Sequence, residues 1–169
     1  LHTRKIIMLE EGVWLVIDDI RCAGDHKLRT QFILDSQVAG SPSQVNDLKI
    51  WSEIPLALEK TFISKKYNEL EESHKLVKIQ KFSDRIIDAT LIMDQSFAVK
   101  YHTVYQTDGR RLPNALALEI ENDCTNKLIL VLNDDLYKGE KLCVVDGVKM
   151  RGKCVVYDKK TCTKIRLKC

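Results

Sequence analysis

Apolar and polar residues alternate in short runs along almost the whole chain. His2-Thr3-Arg4-Lys5-Ile6-Ile7-Met8-Leu9 leads through Glu10-Glu11-Gly12 into Val13-Trp14-Leu15-Val16-Ile17-Asp18-Asp19, and Gly24-Asp25-His26 leads into Lys27-Leu28-Arg29-Thr30-Gln31-Phe32-Ile33-Leu34. Short β-rich runs separated by turn-forming residues read as strands joined by tight connections. The pattern predicts strands at 4–9, 13–20, 27–34, 46–51, 60–64, 75–81, 85–93, 97–105, 115–121, 127–132, 141–145, 153–157 and 163–168. Glu-Gly, Gly-Asp, Gly-Ser-Pro-Ser, Asp-Gly-Arg-Arg, Asn-Asp-Asp and Asp-Gly supply turn signals between many of them. The expected fold is all-β: an antiparallel β-sandwich of two packed sheets with roughly 11–13 strands.

Two stretches carry particular expectations. Leu56, Ile63, Tyr67 and Leu70 stand near helical spacing, but the alternation from Lys75 to Lys81 favours a strand near 60–64, a polar loop through Glu72 and a further strand. In the last strand Ile165, Leu167 and Cys169 share one face and Lys164, Arg166 and Lys168 the other, as in a half-buried antiparallel strand. The expected core includes Trp14, Val16, Phe32, Leu34, Ile92, Leu118, Ile120, Leu130, Val144 and Val156.

At 169 residues, with no internal repeat and no Pro/Gly/Ser-rich linker, residues 1–169 are expected to form one domain. The chain starts at Leu1 and enters a strand almost at once, which reads as a piece of a longer protein. No apolar run approaches the ~18 residues of a membrane span, so no membrane partner is expected. Net charge is +3, but Lys149, Arg151, Lys153, Lys159, Lys160, Lys164, Arg166 and Lys168 are accompanied after residue 147 only by Asp158. This basic end suits an anionic polymer, or it is a solvated strand edge guarded by lysines. Without interleaved aromatics it does not suggest a nucleic-acid partner.

Cysteines at 22, 124, 143, 154, 162 and 169 permit three bridges, yet none shows Cys-x-x-Cys spacing. No nearby histidine completes a zinc site, so neither a metal nor another cofactor is expected. Cys143 and Cys154 sit in Val-rich runs, where a thiol packs as a small hydrophobe. Localisation stays open, with free thiols favouring the reducing cytoplasm over export.

Among the polar residues, His2 and Arg4 share a strand face and could reach an anionic sugar, or form a solvated terminal pair. Asp18 and Asp19 would act as paired acids only across a cleft from another carboxylate; otherwise they cap a turn. Trp14 is expected in the core, and Trp51, before Ser52-Glu53, is the better candidate for stacking on a sugar. His26 reads as a loop-to-strand histidine that hydrogen-bonds locally, while His74 and His102 show no partner spacing and are expected to be structural or exposed. No phosphate loop or nucleophile elbow is present.

The order His2-x-Arg4, strand, turn, Trp14-Leu-Val-Ile-Asp-Asp19, then Gly24-x-His26 and a strand ending Phe32-Ile-Leu34 resembles the β-sandwich part of heparinase II/III-like polysaccharide lyases. Phe62-Ile-Ser64-Lys-Lys-Tyr67-Asn68 before Leu76-Val-Lys-Ile79, and Val145-Asp-Gly147 with Gly152-Lys-Cys-Val-Val-Tyr-Asp158, are similar to further segments of it. The resemblance implies a C-terminal sandwich that supports a preceding catalytic helical toroid and lines a groove for anionic, uronic-acid-containing polysaccharide cleaved by β-elimination. That chemistry needs a neutralised sugar carboxylate and a Tyr or His proton shuttle. This chain has no His-Asn pair and no room for a toroid, and Asp35 stands where that family often carries a histidine. No catalytic residue carries over, and the isolated chain is expected to be inactive. His2, Arg4, Trp51, Lys164, Arg166 and Lys168 remain as candidate substrate-binding residues. The alternative is a stand-alone carbohydrate-binding or structural β-sandwich.

Overall fold

A computed structural model describes residues 1–35, 41, 44–45, 47–94, 96–133 and 142–167. Among them there is no helix, and every strand pairing is antiparallel. The all-β expectation therefore holds. The chain divides into two compact units, Leu1–Gln95 and Ser96–Cys169.

The first unit contains β1 (His2–Glu10), β2 (Val13–Ile33), β3 (Gln44–Val45), β4 (Leu48–Ser52), β5 (Ala57–Lys66) and β6 (Glu69–Met93). They form one sheet in the order β1-β2-β6-β4-β3, with β5 also on β6. Strands expected separately at 13–20 and 27–34 are one strand, as are those at 75–81 and 85–93. The polar loop expected through Glu72 is strand instead, because β5 and β6 close through Tyr67 and Asn68 alone. Asn68 takes the positive φ, 62°, that such short hairpin turns demand.

A 25-residue strand drawn straight would reach about 80 Å. β6 does not run straight, since the side chains of Lys78 and Asp88 meet at 2.8 Å. The β2/β6 ribbon folds over at an elbow. There the register shifts between Arg21 and Asp25, Gly24 has φ 87° and Asp84 φ 61°. The Gly24 N–H donates to the Asp84 carboxylate at 2.8 Å, tying the two strands at the bend. Folding over brings Val45 and Ile50 against Leu76, with Phe32, Leu34, Leu56 and Leu58 around them.

The second unit contains β7 (Ala98–Tyr101), β8 (Val104–Gln106), β9 (Ala115–Glu121), β10 (Asn126–Leu132), β11 (Leu142–Val145), β12 (Val148–Arg151), β13 (Cys154–Asp158) and β14 (Thr163–Leu167). The run expected at 97–105 is interrupted at His102 and Thr103. A five-stranded sheet, β14-β13-β10-β9-β7, packs on a three-stranded one, β12-β11-β8. Val104, Cys143, Val145 and Met150 of the smaller sheet meet Ala117, Leu128, Leu130 and Val155 of the larger. β11 and β12 turn through Asp146-Gly147, both at positive φ, as a two-residue hairpin requires.

Of the expected core, Val16, Leu118, Ile120, Leu130 and Val156 are buried and Phe32, Leu34, Ile92 and Val144 half-buried. Trp14 is 42% exposed, which corrects its placement in the core. It faces Met8 across the β1–β2 hairpin at the outer end of the sheet, where Met8 is exposed too. Among the described residues no disulfide joins Cys22, Cys124, Cys143, Cys154 or Cys162, and Cys143 and Cys154 are buried. The Gly40–Ser43 and Asn133–Asp135 turns lie partly outside the described residues, and Lys168 and Cys169 wholly so.

Candidate functional site

The charged residues of the first unit are organised by cross-strand register. Arg4, Asp18 and Asp88 stand directly opposite one another on β1, β2 and β6. Arg4 Nε and Nη2 grip the two oxygens of Asp18 at 2.8 and 2.9 Å, and His2 Nε2 meets the same carboxylate at 2.7 Å. Asp19, on the opposite face, accepts two bonds from Arg85 and one from Arg21, each 2.8 Å. Burial pushes both carboxyls up, but the hydrogen bonds and charges of their cations outweigh it, so Asp18 and Asp19 sit below the usual carboxylate range. Neither aspartate caps a turn: both are buried within the sheet, which corrects that expectation.

Deeper inside, the ammonium of Lys78 is fully buried. It donates to Asp88 at 2.8 Å, Ser52 at 2.8 Å, Thr90 at 2.7 Å and the Ala89 carbonyl at 3.3 Å. Gln80 donates to the same Asp88 oxygen at 2.7 Å. A charged group is stable in such a place only when paired and hydrogen-bonded, and this one is both.

The second unit has a comparable cluster nearer its surface. His102 Nε2 lies 2.7 Å from Glu119, and Lys159 bridges Glu119 and Asp146, the latter at 2.8 Å. His102, Glu119 and Asp146 lie close enough to share a metal ion. The Lys159 ammonium already holds both carboxylates, so the site carries its own cation. Burial pulls Lys159 down, but its two carboxylates more than compensate, leaving it raised. Glu119, although burial pushes it up, ends below its usual range because Lys159 and His102 hold it. Sequence reading gave His102 no partner because Glu119 is reached across strands rather than by local spacing.

The six predicted binding residues are divided between the units, with His2, Arg4 and Trp51 in the first and Lys164, Arg166 and Lys168 in the second. His2 and Arg4 are committed to Asp18. Trp51 is half-buried on β4 and, aligned with Leu91, Leu15 and Ile7, stands on the sheet face opposite His2 and Arg4. Lys164 and Arg166 are exposed on β14, and Lys168 lies outside the described residues. The faces of β14 are the reverse of the expectation. Arg166 and Lys164 pair with Val155 and Tyr157, on the side turned to the smaller sheet, while Ile165 is 59% exposed. Lys164 lies 5.3 Å from the Tyr157 ring centre and donates to the Lys149 carbonyl of β12 at 2.9 Å. Arg166 packs its stem within 4 Å of the position a side chain at Gly152 would fill.

β12 and β14 are therefore edge strands of the two sheets, brought together at one margin. Lys149, Arg151, Lys153, Lys164 and Arg166 are all exposed there. No protein-family model, no curated protein and no solved structure matches this chain.

Proposed function

We propose that the chain is a non-catalytic β module that holds an anionic polysaccharide along the basic margin of its second unit. The supporting observation is the convergence of β12 and β14 through the Lys164–Lys149 contact, which gathers cations from two strands on one edge. Side chains on one face of a strand recur every ~6–7 Å, a spacing suited to a linear polymer with repeated negative charges. In the setting implied by the resemblance to heparinase II/III-like lyases, the polymer contains uronic acid. Its β-elimination belongs to a helical toroid of the parent chain, and this module supports the toroid and holds the substrate.

Exposed ionic contacts are screened over roughly 8 Å at physiological salt, so binding is weak and salt-sensitive. The test is retention on immobilised heparin along a salt gradient. Lys149→Ser/Lys164→Ser/Arg166→Ser is expected to elute without retention. Unchanged elution refutes the margin. Tighter binding to single-stranded DNA than to heparin refutes the polysaccharide reading. A steady rise of unsaturated-uronate absorbance with purified chain refutes the non-catalytic role.

A further inference from the structure

The edges of the sheets are not equally guarded. Among the described strands, β3 spans two residues, β7 four and β8 three. β12 and β14 carry Lys149, Arg151, Lys164 and Arg166, and β5, paired only with β6, carries Lys60, Lys65 and Lys66. Short strands and lysines keep an edge from pairing with another chain. β1 is nine residues long, ends its sheet, and has Ile6, Ile7, Met8 and Leu9 in succession. Ile6 is 63% exposed and Met8 58%. The ladder to β2 decides which backbone groups of β1 are spare. Leu1 and Arg21 exchange both backbone bonds, at 2.7 and 2.8 Å. Bonded and non-bonded pairs alternate along an antiparallel ladder, and the register is unbroken from His2 opposite Ile20 to Met8 opposite Trp14. Thr3, Lys5 and Ile7 therefore turn their N–H and C=O groups to β2, while His2, Arg4, Ile6 and Met8 turn theirs outward.

We propose that β1 pairs antiparallel with β1 of a second copy of this chain, about a two-fold axis at Ile7, so that two sheets join edge to edge. The charges of the strand favour a second copy in this orientation. Arg4 and Lys5 precede the apolar run, and Glu10 and Glu11 follow it. Antiparallel pairing of two such strands sets the basic end of each beside the acidic end of the other, whereas parallel pairing sets like beside like. The outward backbone groups and the exposed side chains fix the register. An axis at Ile7 opposes Ile6 to Met8 of the other copy, twice, and both residues have outward-turned N–H and C=O groups. Ile6 stands across from Val16 and Met8 across from Trp14. The same register therefore lays Trp14 and Met8 of one copy in line with Ile6 and Val16 of the other, giving two apolar rows across the seam on one face. It also covers Trp14, which is 42% exposed in the single chain. An axis at Lys5 would instead oppose two lysines, which disfavours pairing. The contact shares no residue with the basic margin of the second unit and stands or falls without it.

Two strands joined at their edges bury less than the ~1,200 Å² of a stable standard interface, so the dimer is weak and its population rises with concentration. The test is sedimentation velocity of the full chain from micromolar to millimolar concentration, with amide hydrogen exchange at both ends of the range. A monomer–dimer equilibrium is expected. The amides of Ile6 and Met8 are expected to gain protection as the dimer fills, while that of Ile7, bonded to β2, is protected throughout. Ile6→Pro removes one outward N–H, a change an edge strand tolerates, and Ile6→Lys/Met8→Lys opposes ammonium groups across the seam. Each is expected to raise the dimer Kd about tenfold or more with the circular dichroism spectrum of the fold retained. Ile165→Lys, which removes an exposed apolar side chain of β14, is expected to leave the Kd unchanged. A monomer throughout the range, exchange at Ile6 and Met8 independent of concentration, or a dimer undiminished in the folded double-lysine variant overturns the proposal. A dimer lost in Ile165→Lys but kept in Ile6→Pro also overturns it, by placing the contact on β14.

Discussion

Between the folded halves of the first unit's sheet lie Lys78, Asp88, Thr90 and Ser52; between the two sheets of the second lie Leu128, Leu130, Met150 and Val155. The second interior is filled by apolar contact, which is strong but indifferent to direction, and its ion pairs stand at the rim with His102, Glu119 and Lys159. The first spends a buried ion pair in its middle. Such a pair gains little net stability over an apolar replacement, because desolvation offsets attraction. What it adds is geometry. The ammonium finds all four acceptors only when residue 78 lies over residues 88–90 and β4, so the pair selects one way of folding the ribbon.

The sharpest way to break this contrast is to remove one partner. Lys78→Ala is expected to lose about 3–5 kcal/mol, since it strands Asp88 as an uncompensated buried charge; urea unfolding monitored by circular dichroism measures it. Lys78→Met/Asp88→Leu should recover much of that loss, and failure to recover would mean the pair contributes stability rather than selection. In the second unit Leu128→Ala is expected to cost about 2–5 kcal/mol through a cavity alone, with no second substitution of a polar group able to rescue it.

Acid sharpens the comparison next. Asp18, Asp19 and Glu119 have folded pKa values below their unfolded ones. Each therefore contributes stability that is present above the unfolded value, about 4, and is lost as pH falls through the folded value. Urea midpoints measured from pH 6 downward should begin to drop near pH 4 and keep falling. Asp19→Asn should flatten that slope more than any exposed Asp→Asn change. Smaller still, Lys159→Met is expected to cost about 1 kcal/mol, because its pairs are partly open to water. Ile165→Thr should change stability by less than about 0.5 kcal/mol; a loss of 2 or more would contradict its exposure.

Strand positions were legible because turn residues and alternation are local properties. The hairpin at Asp146-Gly147 and the strands at 115–121, 154–158 and 163–167 follow from them. Which face turns inward was not always legible. From 75 to 81, alternation suggests Lys78 and Gln80 look outward, yet Lys78 is buried and Ile79 is 43% exposed. The deciding contact, Asp88, lies ten residues on in the same strand and becomes a neighbour only after the ribbon folds. A lone Lys and a lone Asp, each within an apolar run, were the available signal. On β14 the long stems of Lys164 and Arg166 lie along the sandwich edge with their charges in water, so polarity did not report the inner face. The candidate site was legible as a basic segment, but not the contribution of β12, which depends on how two edge strands meet.

The continuous β2/β6 ribbon also sets an order for folding. β5 and β6 are joined by a two-residue turn, so this hairpin closes locally, at a cost independent of the rest of the chain. β2 must then find β6 across a long loop, pairing Ile33 with Lys75 at the near end and Val13 with Met93 at the far one. Loop entropy grows by about 0.6 kcal/mol for each doubling of length, a modest advantage for the near end, where pairing is expected to start before zipping outward. Only when pairing has passed Asp25 and Ser83 can the elbow form and carry Lys78 to Asp88. The ion pair is thus a late contact: its removal should speed unfolding far more than it slows folding.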